Sequence, residues 1–151
     1  MSAPPILTEL SLSEDMQRAV NTAFETLKPI VVSYVDENGA PQLSFRGSTQ
    51  AYSDTQLAIW VRNPEGRILE SIEKNPAIAL LYGSFEPTAR AFMIFRGRAR
   101  IDGSDAVRRH VYEHAHAFER DKDKDRKGSA LIIDLDSVEG FFGGAQLKMR
   151  R

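Results

Sequence analysis

The chain has 151 residues, of which 42% are apolar and 27% are charged, a composition that fits one folded domain and excludes a disordered chain. Its net charge of −1 gives the molecule as a whole no electrostatic reason to bind nucleic acid or an anionic membrane. Because the sequence contains no cysteine, disulfides, thiolate metal sites and cysteine nucleophiles are excluded.

A helix followed by a hairpin is predicted in the first third of the chain. Ser13 precedes acidic residues and then apolar residues at helical spacing, which indicates the start of a helix. The apolar segments 30–35 and 42–50 flank Asn38 and Gly39. This residue pair suits a two-residue hairpin turn in which both residues have positive φ, so we expect an antiparallel hairpin here.

Four more strands and two more helices are expected after this hairpin. The strands are predicted at 56–61, 77–82, 88–101 and 130–135, and the helices at 67–74 and 105–120. Six strands at short spacing with inserted helices predict a mostly β domain, either a small barrel or a curled sheet. No internal boundary is visible, so we expect a single domain over 1–151.

Three histidines occur close together, at His110, His114 and His116, and all lie in the predicted helix 105–120. Two histidines four residues apart can face the same metal ion. The glutamate of the zincin pattern is missing, however, and no third ligand is evident. We therefore predict no metal site and a structural or surface role for these residues.

Acidic residues alternate at Asp121, Asp123 and Asp125, as they do at the start of a calcium-binding loop. Arg126 stands where such a loop needs glycine, and Ile132 stands where it needs a bidentate glutamate. We interpret the segment 121–127 as a solvated connection.

Arginines adjoin small residues at three places, which together form a candidate anion site. Guanidinium groups suit phosphate oxygens, a helix start offers free N–H groups, and glycine lets the backbone approach a ligand closely. The alternative is an ordinary surface with scattered arginines. The residues concerned are Arg46, Gly47, Ser48, Arg62, Gly66 and Arg67.

Five segments of the chain follow one another in a characteristic order: PQLSFRGS (41–48), LAIWVR (57–62), GRIL (66–69), EKNPAIALLY (73–82) and FRGRARI (95–101). In order and spacing they resemble the pyridoxamine 5′-phosphate oxidase-like family of FMN-binding split β-barrels. The most recognisable part is the short helix, the Asn75-Pro76 pair and the apolar strand that follows. The resemblance implies a six-stranded split β-barrel with flanking helices.

The resemblance also implies FMN as the cofactor, held between the two subunits of a homodimer, and an FMN-dependent oxidoreductase activity toward a small molecule. It places Arg46, Gly47 and Ser48 at the phosphate or the ribityl chain. The border of the ribityl chain and isoalloxazine would be formed by Trp60, Val61 and Arg62, and the phosphate would be capped by Gly66 and Arg67. For Trp60, packing in the core or at the dimer interface is the alternative.

The C-terminal residues 143–151 depart from the Arg-Leu-rich segment with which true pyridoxamine phosphate oxidases help bind pyridoxal phosphate. The resemblance therefore leaves the substrate and the catalytic residues unassigned. Three alternatives stay open. They are a non-catalytic flavin-binding module, a haem-binding relative with one of the three histidines as axial ligand, and a reductase that uses the deazaflavin F420.

Arg96, Arg98 and Arg100 share one face of the predicted strand 88–101, since alternate residues of a strand point the same way. This row faces either solvent or the partner subunit's cofactor phosphate. No secretory signal or apolar run of membrane-spanning length is visible, so we expect a cytoplasmic protein that binds neither membrane nor nucleic acid.

Overall fold

The computed structural model describes residues 3–64 and 66–151. Its strands are β1 (Ile6–Glu9), β2 (Val31–Val35), β3 (Pro41–Phe45), β4 (Gln50–Ser53), β5 (Gln56–Val61), β6 (Ala77–Ser84), β7 (Ala91–Asp102), β8 (Ser129–Phe142) and β9 (Ala145–Arg150). Its helices are α1 (Glu14–Asn21), α2 (Arg67–Lys74), α3 (Asp105–His114) and α4 (Ala117–Asp121). The prediction of a mostly β fold with flanking helices is confirmed. Met1, Ser2 and Glu65, which fall within the predicted domain, lie outside the described residues.

The strands form one sheet in the order β1-β9-β8-β7-β6-β2-β3, with β4 and β5 attached as a branch, and this path does not close among the described residues. The branch arises at β8, the longest strand. One edge of β8 pairs with β7, whereas the other pairs first with β5, over 129–134, and then with β9, over 137–142. This division of one edge between two partners gives the split-barrel arrangement.

The sheet contains nine strands rather than the six expected. The segment 42–50 divides into β3 and β4 because the chain turns between them, where the backbone N–H and the hydroxyl of Thr49 both donate to the carbonyl of Arg46. The other two additional strands are β1 and β9, which pair with each other in parallel.

The predicted hairpin is present as the antiparallel pair β2 and β3, but its turn differs from the expectation. Gly39 has a φ of +79°, and Asn38 does not have positive φ. The Asp36 carboxylate accepts hydrogen bonds from the backbone N–H groups of Asn38 and Ala40, each at 2.9 Å. The Asp36 side chain thus organises the turn, and only glycine needs the left-handed conformation.

The helix predicted over 105–120 is in fact two helices, because the chain is extended at Ala115 and His116. The His116 side chain caps α4 by accepting a hydrogen bond from the Phe118 backbone N–H at 3.1 Å. The break redirects the chain, so that α4 lies against the turn between β3 and β4 instead of continuing along the axis of α3.

Two apolar clusters lie on opposite faces of β5 and β8. The main core includes Leu57, Ile59 and Ile133, together with the buried residues of α1 and α2. The second cluster packs α3 against the other face, with Trp60 and Tyr112 among its members. Alternation along β5 therefore sends Trp60 away from the main core and toward α3.

Candidate functional site

A cavity of about 170 Å³ lies where the turn between β3 and β4 meets the end of β5. Five of the eight predicted cofactor-binding residues line it. The lining residues are Phe45, Arg46, Gly47, Ser48, Trp60, Arg62, Asn63 and Glu119. The structure thus brings together sequence segments that were grouped only by composition and resemblance.

Gly47 lies under α4, and the packing there leaves no room for a side chain. A Cβ at this position would lie 2.7 Å from the Glu119 Oε1 atom and 2.9 Å from the ring of Phe24. Both distances are shorter than van der Waals contact, so a side chain at this position would force the Glu119 carboxylate and the Phe24 ring to move.

The Ser48 hydroxyl is buried and connects the turn to β5. It donates to the backbone carbonyl of Trp60 at 2.7 Å and accepts from the Trp60 backbone N–H at 3.0 Å. A serine hydroxyl carries one hydrogen, and here that hydrogen is already used. Ser48 therefore positions the turn in this arrangement and has no hydrogen left to donate to a phosphate.

The Trp60 side chain is almost completely buried, on the α3 side of the sheet. Its indole meets the Tyr112 ring edge-on at 5.2 Å, and the Arg108 guanidinium lies over it at 5.0 Å. The indole N–H donates to the Asp123 Oδ2 atom at 2.9 Å. These contacts agree with the alternative that this side chain packs in the core.

Asp123 is buried, which makes the prediction of a solvated segment over 121–127 wrong at this position, although Asp121 and Asp125 are exposed. Its carboxylate also accepts from the backbone N–H groups of Lys127 and Gly128, each at 2.9 Å. Burial by itself would raise the pKa of Asp123, but these hydrogen bonds and the one from Trp60 hold the pKa below its usual range. The carboxylate anchors the segment to β5.

Three charges define the electrostatics of the cavity. The Arg62 Nε atom forms an ion pair with the Glu119 Oε2 atom at 2.8 Å. Burial lowers the pKa of the Arg46 guanidinium, with Arg62 acting in the same direction and the charges of Tyr34 and Glu119 opposing it. Two arginines and one carboxylate leave a net charge of +1, so the cavity favours an anion.

Glu119 was not identified from the sequence. It lies in the middle of a predicted charged helix segment, and nothing in its spacing distinguishes it from Glu113 or Arg120. Only the break at Ala115 and His116 brings it to the cavity, and histidine as a helix cap is a weak sequence signal.

The structure does not bring the remaining predicted residues to this cavity. Val61 is buried in the main core, and Gly66 is the N-cap of α2. Arg67 is exposed and lines a separate cavity of about 490 Å³, whose other residues are Asp36, Glu37, Asn38 and Glu70. Its guanidinium therefore faces carboxylates of the β2–β3 hairpin.

The histidines are arranged with one another and with nearby backbone groups. The rings of His110 and His114 stack at 4.0 Å, and His114 Nδ1 lies 2.8 Å from the His110 carbonyl. The Nε2 atom of His116 lies 3.5 Å from a carboxylate oxygen of Glu25. The described part of the chain contains no group of three or more histidine or acidic residues that could hold a metal ion.

The arginine row on β7 is exposed and paired with acidic residues of the neighbouring strand β8. Each guanidinium forms at least one ion pair, and Arg100 also contacts Asp102. The cross-strand pairs are Arg96–Glu139, Arg98–Asp136 and Arg100–Asp134. Their charges are thereby balanced within the chain.

Part of the outer face of β2, β3, β6 and β7 is apolar and exposed, and the same side of β7 also carries the arginine row. Leu43 and Phe45 on β3 are 72% and 68% exposed, and Leu81 and Phe92 continue the patch across β6 and β7. Phe45 also lines the cavity, so the apolar face and the cavity are continuous. Surfaces of this kind mark interaction sites more often than free surface.

Within the described ranges, no helix has both the length and the apolar character needed to span a membrane.

Sequence comparison finds no protein-family model that matches the chain and no curated protein with significant similarity. Structure comparison, in contrast, defines the class: the chain has the split β-barrel fold of pyridoxamine 5′-phosphate oxidase-like proteins.

Three solved structures illustrate this likeness. HupZ of Group A Streptococcus has a TM-score of 0.64 at 20% identity, covering 89% of this chain and 97% of that chain. A Clostridium acetobutylicum protein related to general stress protein 26 of Bacillus subtilis, of the pyridoxinephosphate oxidase family, has a TM-score of 0.62 at 15% identity, with coverages of 91% and 96%. General stress protein 26 of Bacillus anthracis has a TM-score of 0.59 at 17% identity, with coverages of 83% and 93%.

Proposed function

We propose that the chain is a cytoplasmic FMN-dependent oxidoreductase of the pyridoxamine 5′-phosphate oxidase-like family, which holds FMN between two copies of itself and acts on a small molecule. The observation that carries the proposal is the convergence of Arg46 and Arg62 on one cavity at the β3–β4 turn. Bound FMN would supply hydride or electron transfer, while the protein would supply position and electrostatics.

The cavity fits the phosphate end of FMN. Guanidinium groups form forked, charge-assisted hydrogen bonds with phosphate oxygens, and Arg46 and Arg62 both reach this cavity. The missing side chain at Gly47 leaves space beside Glu119, which also lines the cavity. The net positive charge of the lining residues favours an anion over a neutral group.

A second copy of the chain would complete the site. Small-molecule sites enclose about 300–1,000 Å³, whereas this cavity measures about 170 Å³. One chain therefore has room for the phosphate and not for the whole cofactor. The exposed apolar face around Leu43 and Phe45 adjoins the cavity and offers the surface on which a partner would enclose the flavin ring.

The first experiment is a visible absorbance spectrum of the purified protein after FMN addition and gel filtration. We expect the two flavin bands to stay with the protein. Arg46→Ala and Arg62→Ala should each weaken FMN binding by about 10–100-fold, because each removes charge-assisted hydrogen bonds to phosphate. Arg90→Ala, a change of an exposed arginine before β7, is the matched control.

The outcomes separate the alternatives. A protein that remains colourless in excess FMN contradicts the cofactor assignment and directs the search to F420. A Soret band in the purified protein would instead indicate haem. If FMN binds but its reduction by NADH or NADPH is followed by no reoxidation with any electron acceptor tried, the non-catalytic module is the better description.

A further inference from the structure

Helix α4 holds Glu119 over the candidate phosphate cavity. The Phe118 ring stacks on the Phe24 ring at 5.5 Å, and Phe24 itself contacts the turn at Gly47. The Glu119 backbone N–H donates to the His116 carbonyl at 2.9 Å, which completes the first turn of the helix. These contacts fix the backbone of Glu119 and direct its side chain toward the cavity.

The Glu119 carboxylate lies within the cavity and not beside it. Its side chain is only 13% exposed, one oxygen is 2.8 Å from the Arg62 Nε atom, and the other adjoins Gly47. Burial lowers the pKa of Arg46, and the negative charge of Glu119 partly offsets this lowering. An acidic side chain therefore pairs with Arg62, one of the two arginines that a phosphate would use.

We propose that Glu119 is a specificity-determining residue, which acts as a built-in anion that competes with the ligand's phosphate for Arg62. The inference rests on the proposed flavin function and concerns the selectivity of the same site. A phosphate that enters must displace the carboxylate from Arg62 or bind beside a like charge, and either event weakens its binding. The site therefore discriminates between FMN and riboflavin less strongly than it would if no carboxylate faced its two arginines.

A purely structural role for Glu119, in which its ion pair with Arg62 only fixes α4, predicts a different result. Glu119→Gln keeps the length of the side chain and an oxygen that can accept from Arg62, and it removes only the charge. Under the structural role, flavin affinity should fall or stay constant. Under competition, FMN affinity should rise while riboflavin affinity stays unchanged, because riboflavin lacks the phosphate.

The test measures the dissociation constants of FMN and riboflavin by fluorescence titration for the wild type, Glu119→Gln and Asp121→Asn. Asp121 lies on the same helix but lines a different cavity. Asp121→Asn therefore removes the same charge as Glu119→Gln without changing the candidate phosphate cavity. We expect Glu119→Gln to bind FMN at least about tenfold more tightly, the size of a single like-charge contact at a protein surface. Asp121→Asn should leave both constants unchanged.

Each outcome decides between the two proposals. Equal FMN affinity in the wild type and Glu119→Gln, with flavin bound by both, overturns the role of Glu119 and leaves the flavin function standing. If neither protein binds FMN or riboflavin, the flavin function falls. The thermal shift produced by inorganic phosphate then tests Glu119 alone: a larger shift in Glu119→Gln than in the wild type supports competition, and an equal shift overturns it.

Glu119→Ala provides a second variant for the same measurements. If circular dichroism shows that Glu119→Gln does not fold, Glu119→Ala should show the same rise in FMN affinity, because it also removes the charge. This variant does not require the cavity to accommodate an amide group. Failure of both to fold would show that the ion pair with Arg62 is chiefly structural, and this would overturn the proposal.

Discussion

The Ser48 hydroxyl both donates to and accepts from the backbone of Trp60, and so fastens the β3–β4 turn to β5 at one residue. The cavity forms between these two segments, and its shape depends on this connection. Buried polar groups that lose their partners carry a large energetic penalty, which makes this contact a sensitive point of the structure.

Ser48→Ala should destabilise the protein by about 1–3 kcal/mol, since it leaves buried backbone groups of Trp60 without a partner. Urea unfolding followed by tryptophan fluorescence measures the change. Ser137→Ala, on the outer sheet face and only half-buried, should alter stability by less than about 0.5 kcal/mol. Equal effects of the two substitutions would show that the hydrogen bonds of Ser48 add no more to the free energy of unfolding than an ordinary surface serine does.

Gly47→Ala should destabilise the protein by about 1–3 kcal/mol, because the new methyl group would overlap Glu119 and the Phe24 ring. The strain should also displace α4 and weaken FMN binding. Thermal unfolding and FMN titration report the two effects. The control is Gly103→Ala, where a Cβ meets nothing within 4 Å, and it should change neither quantity.

Asp123→Asn should make the free energy of unfolding less dependent on acidic pH. Burial opposes ionisation of Asp123, but the hydrogen bonds from Lys127, Trp60 and Gly128 lower its pKa overall. A carboxylate whose pKa is lower in the folded state stabilises the fold above about pH 4, the unfolded value, and loses this contribution as pH falls through the lowered pKa.

Urea unfolding at neutral and acidic pH tests this expectation. Asp123→Asn should be less stable than the wild type by about 1–3 kcal/mol at pH 7, and the difference should shrink as the solution becomes more acidic. Asp125→Asn, a change at the neighbouring exposed position, should reproduce the wild-type profile. A constant difference at all pH values would contradict the assignment of the lowered pKa to Asp123.

Leu43→Glu should convert a dimer to a monomer and abolish FMN binding, if the apolar face is where the second copy docks. A buried charge at an apolar interface is strongly unfavourable unless it is paired. Light scattering after gel filtration measures the mass. Leu7→Glu is the control, because Leu7 is also exposed but lies on β1, at the opposite end of the strand order. A dimer that persists in Leu43→Glu would place the interface elsewhere.

Sequence periodicity predicted the strands that alternate between a buried and an exposed face. In β7, for example, Met93 and Phe95 are buried while Arg96 and Arg98 are exposed, as the pattern indicated. In β9, Leu147 and Met149 alternate with exposed residues in the same way, although no strand was predicted in this segment. All four residues of β1 are exposed, so this strand carries no burial pattern to detect.

The candidate site was only partly predictable, for reasons of geometry. Arg46 and Arg62 meet because β4 and β5 form a hairpin, which short-range patterns indicate. Arg67 follows Arg62 closely in sequence, yet α2 carries it to the β2–β3 hairpin. Glu119 reaches the cavity only because of the helix break at His116. Such placements depend on tertiary packing, which residue spacing does not encode.

The branch of the sheet at β8 has a consequence for how the chain folds. Among the described residues, β5 pairs only with β8 apart from its hairpin partner β4. The pairing of Gln56 with Asp134 closes a loop of more than half the chain. Contacts so distant in sequence form slowly, because the entropy of loop closure is lost before the pairing compensates for it. During synthesis, β5 beside the cavity therefore cannot complete its pairing until residues 129–134 of β8 have left the ribosome.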